Sequence, residues 1–104
     1  MKSDKNILIV EDDWFIAQDT KRRVEDFGYH VCGVVPSGEE AVDIVETILP
    51  DLILMDIKLK GQIDGIETAR QIVAKYAIPV VYVTAFANKD LVERVKITGP
   101  YGYI

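Results

Sequence analysis

The 104-residue sequence predicts a doubly wound α/β fold around a five-stranded parallel sheet. Two observations carry this expectation. The apolar runs Ile7-Leu8-Ile9-Val10, Leu52-Ile53-Leu54-Met55 and Val80-Val81-Tyr82-Val83 have no polar interruption, as in strands covered on both faces. Between them lie helix-periodic stretches bounded by capping or breaking residues, so strand and helix alternate along the chain. A third observation places the chemistry. The runs lead into Glu11-Asp12-Asp13, Asp56 and Thr84, each an oxygen-bearing side chain.

The first strand spans about 6–10. Residues 14–27 read as a helix with Ile16, Thr20, Val24 and Phe27 along one side, stopped by Gly28. A second strand, about 30–35, leads into Pro36-Ser37-Gly38-Glu39-Glu40, where Ser37 and Glu40 have capping-box spacing. The helix behind them, about 38–48, turns Ala41, Ile44, Val45 and Ile48 inward and ends before Pro50. The third strand is about 51–56.

A loop from Ile57 to Ile63 follows, and Asp64-Gly65-Ile66-Glu67 forms a second capping box. Its helix runs to about Tyr76 with Ile66, Ala69, Ile72 and Val73 inward. Ile78-Pro79 opens the fourth strand, at whose first position proline is tolerated. Asn88 caps a fourth helix, about 89–97, carrying Leu91, Val92 and Val95. Gly99-Pro100 breaks it, and Tyr101 to Ile104 begin a fifth strand. Short linkers and the absence of repeats make residues 1–104 one domain.

Composition narrows the function classes. Hydrophobic content of 49% with 28% charged residues is that of a globular domain. No apolar stretch approaches the roughly 20 residues needed to span a bilayer, so no membrane role is expected. Met1-Lys2-Ser3-Asp4-Lys5-Asn6 leads into the first strand without a cleavage-site pattern. The lone Cys32 excludes an internal disulfide and reads as a core residue; a cytoplasmic setting is expected. A net charge of −5 argues against direct nucleic-acid binding, which needs a basic face. Lys21-Arg22-Arg23, the one cationic cluster, reads as a solvated helix face, and His30 as a surface residue.

Alternation alone leaves the strand order open. The flavodoxin-like order 2-1-3-4-5 sets strands 1, 3 and 4 side by side and brings Asp12, Asp56 and Thr84 to one edge. Ligands bind at that edge of open parallel sheets. Glu11 would join Asp12 and Asp56 there. Two unit negative charges about 4 Å apart repel by about 4 kcal/mol at an effective dielectric near 20. Folding tolerates three such groups only with a cation or a protonated carboxylate. Oxygen ligands without His or Cys select Mg2+, Mn2+ or Ca2+ over zinc.

The ordered set Val10-Glu11-Asp12-Asp13, Leu54-Met55-Asp56-Ile57, Asp64-Gly65-Ile66-Glu67, Val83-Thr84-Ala85 and Tyr101-Gly102-Tyr103-Ile104 resembles the receiver domain of two-component response regulators. The resemblance spans essentially the whole chain. It implies that Asp56 is the phosphoacceptor, taking a phosphoryl group from a phosphohistidine of a sensor histidine kinase or histidine phosphotransfer protein. It implies that Asp12 ligates Mg2+ (Mn2+ being an alternative) directly and Glu11 through water. The Lys58 backbone carbonyl and Asp56 complete the protein's metal contacts, while Asp13 is left as a helix-start residue. Thr84 would swing toward the phosphoryl group and Tyr103 would turn inward behind it, a bistable packing element. Phe86 would limit water access to the acyl phosphate. Such a domain signals to a downstream effector or a fused output domain and is no enzyme beyond its own phosphorylation and dephosphorylation.

The family continues past strand five into a Lys-Pro pair and a final helix. Counted from Tyr103, the lysine falls just after Ile104, where the sequence ends. Lys58 and Lys60 lie on the wrong loop, and Lys89 and Lys96 on helix four. We read this as a domain cut short, the alternative being a protein without that lysine and helix. A sheet face and edge left without the helix would favour a homodimer.

Three other readings fare worse. A flavin-binding flavodoxin needs a Ser/Thr/Gly-rich phosphate loop where Glu11-Asp12-Asp13-Trp14-Phe15 stands. A haloacid-type phosphatase needs a second Asp where Lys58 stands. The third is a receiver-like scaffold that is never phosphorylated; intact Glu11, Asp12, Asp56 and Thr84 oppose it and the missing lysine favours it. Gly61-Gln62-Ile63 lengthens the loop after Asp56 by one residue, which looks like receivers attached to, or working beside, sensor kinases.

Overall fold

Five parallel strands in the order β2-β1-β3-β4-β5 form one sheet in the computed structural model, the order expected from the placement of the acidic residues. The structure describes residues 5–83 and the backbone of residues 102–103. The strands are β1 (Asn6–Val10), β2 (His30–Val35), β3 (Leu52–Asp56), β4 (Val80–Val83) and β5 (Gly102–Tyr103). The helices are α1 (Trp14–Asp26), α2 (Gly38–Ile48) and α3 (Gly65–Lys75). Thr84, Phe86, Asn88, Lys89, Lys96 and the expected fourth helix lie outside the described residues.

Register decides which strand ends meet. Val10 pairs with Met55 across β1 and β3, and Met55 with Tyr82 across β3 and β4. The next residue along β1 is Glu11 and the last along β3 is Asp56, whose partner on β4 is Val83. The Glu11 N–H donates to Val35 O at 3.0 Å, tying the chain to the end of β2 as it leaves the sheet. One rim therefore gathers the residues that follow β1 and close β3.

The larger core lies on one face. Leu8, Val10, Ile53, Met55, Val80 and Tyr82 of the sheet pack with Ala41 and Val45 of α2 and Ile66, Ala69 and Ile72 of α3. Each such aliphatic side chain contributes about 1.5–3 kcal/mol relative to exposure. The other face holds a smaller cluster of Ile7, Ile9 and Val31, with Val24 of α1 against it. Leu52 and Leu54 pack against this cluster and are half-buried.

The caps form where side-chain oxygens meet orphan amides. Asp13 accepts from the Ile16 N–H at 3.1 Å, Ser37 from Glu40 at 3.2 Å and Asp64 from Glu67 at 2.9 Å. Gly28, at φ 96°, sits just beyond the Phe27 C-cap in the left-handed conformation that ends α1. The inward face of α1 differs from expectation. Ala17 is buried and Val24 packs on the sheet, while Ile16 and Phe27 are exposed. A small residue at 17 lets the helix sit close with its face turned by one position, and periodicity cannot distinguish 16–20–24 from 17–20–24.

Candidate functional site

Asp56 closes β3, and Glu11 and Asp12 follow β1. One carboxylate oxygen from each of Glu11, Asp12 and Asp56 lies within 4.8 Å of the others. Glu11 is the most enclosed, with 9% of its surface exposed, while Asp12 and Asp56 are half-buried. Backbone amides fix two of the three. The Asp13 N–H donates to Glu11 Oε2 at 3.0 Å, and the Lys58 N–H donates to Asp56 Oδ1 at 3.3 Å. The Asp13 side chain caps α1.

The electrostatics follow from this crowding. Burial pushes the Glu11 carboxyl up to about 7; the Asp13 N–H opposes this, while the Asp56 charge and bonds to Asp12 and Asp56 add to it. Asp56 is also raised by burial, held back by the Lys58 N–H and by the bond from Glu11, with the Asp12 charge raising it further. Both carboxyls are raised, so the Glu11–Asp56 pair holds a proton between them. The metal-free cluster thus lowers its repulsion with a proton. An all-oxygen donor set of this charge fits a hard divalent cation, which would take the proton's place.

The start of α3 is pressed against the end of β3. The Gly65 N–H donates to Ile57 O at 2.8 Å, and a Cβ on Gly65 would overlap the Asp56 carbonyl oxygen. The sequence marks Asp64-Gly65-Ile66-Glu67 as a capping box and as part of the family resemblance. The glycine's service to Asp56 was not legible there, because the contact joins residues from two different elements. The buried Thr68 hydroxyl donates to Asp64 O at 2.7 Å and steadies the same turn.

Of the expected site residues, Glu11, Asp12 and Asp56 converge, and Lys58 joins through its backbone N–H to Asp56. Tyr103 lies on β5 and pairs by backbone with the buried Tyr82. Thr84 lies outside the described residues. Beyond the acidic cluster, Trp14 and Phe15 are exposed at the start of α1, their rings edge to face at 5.2 Å. No helix among the described residues is long and apolar enough to cross a membrane.

The family model described as the response regulator receiver domain matches residues 7–104. The transcriptional regulatory protein PdtaR of Mycobacterium tuberculosis is 38% identical over 100 residues, covering 96% of this chain and 48% of that protein. The phyllosphere-induced regulator PhyR of Methylorubrum extorquens is 37% identical over 86 residues, 82% of this chain and 32% of its own length. The chain thus spans about half or less of the length of these curated relatives. The signal receiver domain of a modulated diguanylate cyclase from Desulfovibrio desulfuricans superposes with a TM-score of 0.92 at 36% identity, covering 98% of this chain and 81% of that one. With its acidic rim, its 2-1-3-4-5 sheet and a family match running from β1 to its last residue, the chain belongs to the response regulator receiver domains.

Proposed function

We propose that residues 1–104 form a receiver domain that accepts a phosphoryl group on Asp56 from a phosphohistidine. The convergence of Glu11, Asp12 and Asp56 at one strand rim carries this reading. Asp56 Oδ would attack phosphorus, the new O–P bond forming as the P–N bond to the donor imidazole breaks. The imidazole leaves with the bonding pair and takes up a proton. With a cation in the proton's place, Asp56 is left an unprotonated nucleophile. The Lys58 N–H, already on Asp56 Oδ1, orients the carboxylate.

Asp12 and Asp56 would hold Mg2+ directly, Glu11 through water and Lys58 through its carbonyl. When bound, the ion would neutralise charge on the transferring oxygens. Thr84 and Tyr103 would read the phosphorylated state, since an added phosphoryl group brings roughly −1.5 to −2 charge. The donor would be a sensor histidine kinase or histidine phosphotransfer protein, and the recipient of the signal an effector or a fused output domain.

The test is a mass shift. Acetyl phosphate with Mg2+ should add one phosphoryl group to the wild type and none to Asp56→Asn. No shift in a chain extended past Ile104 to take in the expected lysine would instead mark the domain as an interaction scaffold.

A further inference from the structure

We propose that Glu39, which the phosphoacceptor reading leaves without a role, is a positioning residue for the metal-binding loop; the inference rests on that reading and deepens it. Glu39 stands in the first turn of α2, yet its carboxylate serves another element. Glu39 Oε1 accepts the Gln62 N–H at 3.1 Å and the Ile63 N–H at 3.0 Å, across 23 and 24 residues of sequence. Two successive amides closing on one oxygen make an anion-binding turn. Gly61 completes it at φ +113°, where a Cβ would stand 2.8 Å from Glu39 Oε2. The turn is wound around the carboxylate.

The near end of the same loop is held at the acidic site. The Lys58 N–H lies on Asp56 Oδ1, and the Gly65 N–H on Ile57 O. Between these anchors Leu59 is buried, while Lys58 is exposed. Residues 57–64 are therefore pinned at the acceptor, in the core and at Glu39. The Lys58 carbonyl is presented by a segment whose far end α2 holds. Without Glu39, two amides lose their acceptor, and the loop must be ordered when the ion binds rather than beforehand.

A simpler role for Glu39 would be to favour the helix N-terminus by charge alone. Glu40 occupies the same turn with the same charge, and its carboxylate meets the Ser37 hydroxyl rather than the loop. Glu40→Ala is thus the matched control. The α2 helix keeps a seat of its own in either variant, because Gly38 is buried against Thr68 of α3.

The experiment is calorimetric titration of the full chain with MgCl2. Glu39→Ala should weaken Mg2+ binding by about tenfold, the low end for loss of a group supporting a metal ligand. Glu39→Gln should restore wild-type affinity, since its amide oxygen accepts the same two N–H groups, and Glu40→Ala should leave the affinity unchanged. Amide hydrogen exchange on Glu39→Ala should quicken at Gln62 and Ile63 while β3 stays protected. Wild-type affinity in Glu39→Ala, affinity in Glu39→Gln as weak as in Glu39→Ala, or loss of protection throughout the chain would overturn the inference. A wild type that takes up no Mg2+ would overturn the phosphoacceptor reading and this inference together, a result distinct from wild-type binding that Glu39→Ala leaves intact.

Discussion

Gly65 touches Asp56 so closely that the first turn of α3 rests on the Asp56 backbone, with no space for a side chain between them. Gly65→Ala must push α3 or the end of β3 aside. A loss of about 1–3 kcal/mol in unfolding free energy is expected, as for other overpacking substitutions. Because the displaced group is Asp56, labelling by acetyl phosphate should slow as well. Denaturant unfolding beside the labelling rate checks both. A variant with normal stability and normal labelling would mean that the helix start yields without moving the carboxylate.

The proton on Glu11 gives the metal-free protein a definite pH response. Its folded value, about 7, lies above the ordinary 4.5, so the folded chain keeps a proton that the unfolded chain has released. The resulting stabilisation is fully present below pH 4.5 and is lost as pH rises through about 7. Metal-free thermal unfolding should show wild-type Tm falling across this window relative to Glu11→Gln. Excess Mg2+ should remove the fall, and Mg2+ affinity should rise with pH over the same range. Parallel Tm profiles for wild type and Glu11→Gln would refute the assignment of the proton.

Asp12 and Asp56 should separate metal binding from covalent labelling. Asp12→Asn removes one charge and one anionic ligand, so the Mg2+ needed for half-maximal labelling should rise by more than about tenfold. Asp56→Asn should abolish labelling outright. Titrating Mg2+ against the initial labelling rate distinguishes the two. Identical Mg2+ dependence in Asp12→Asn and wild type would remove Asp12 from the metal site.

Leu49 ends α2 with φ 48° and ψ 64°, the one non-glycine residue at positive φ among the described residues. An L side chain there costs about 1–2 kcal/mol. Glycine removes that cost and adds about 0.5–1 kcal/mol of chain entropy in the unfolded state. Leu49 is 59% exposed, so little packing is lost. Leu49→Gly should stabilise the domain by about 0.5–1 kcal/mol, read from the midpoint of urea unfolding. Destabilisation would show that the Leu49 side chain packs more than its exposure suggests.

Much of this molecule was legible before any coordinates. Uninterrupted apolar runs mark β1, β3 and β4 because strands with neighbours on both faces have little use for polar side chains. Asp13, Ser37 and Asp64 announce helix starts because capping is a local exchange between a side chain and amides two or three residues on. The acidic residues after those strands were enough to select strand order 2-1-3-4-5.

Other features depended on residues far apart in sequence. Which face of α1 turns inward was decided by how closely Ala17 lets the helix approach, leaving Ile16 and Phe27 outside. That the carboxyls of Glu11 and Asp56 are raised was decided by their burial side by side at one rim. Glu39 found its two amides, and Gly65 its place against Asp56, only once β3 and both helices were assembled.

The identity and order of the acidic groups were thus written in the chain, because their chemistry belongs to single residues. Their spacing, their shared proton and the bracing of the loop beside them arose only on folding, because repulsion, burial and hydrogen bonding depend on distances that no local pattern encodes. The placement of Glu11, Asp12 and Asp56 within 4.8 Å of one another belongs to the sheet.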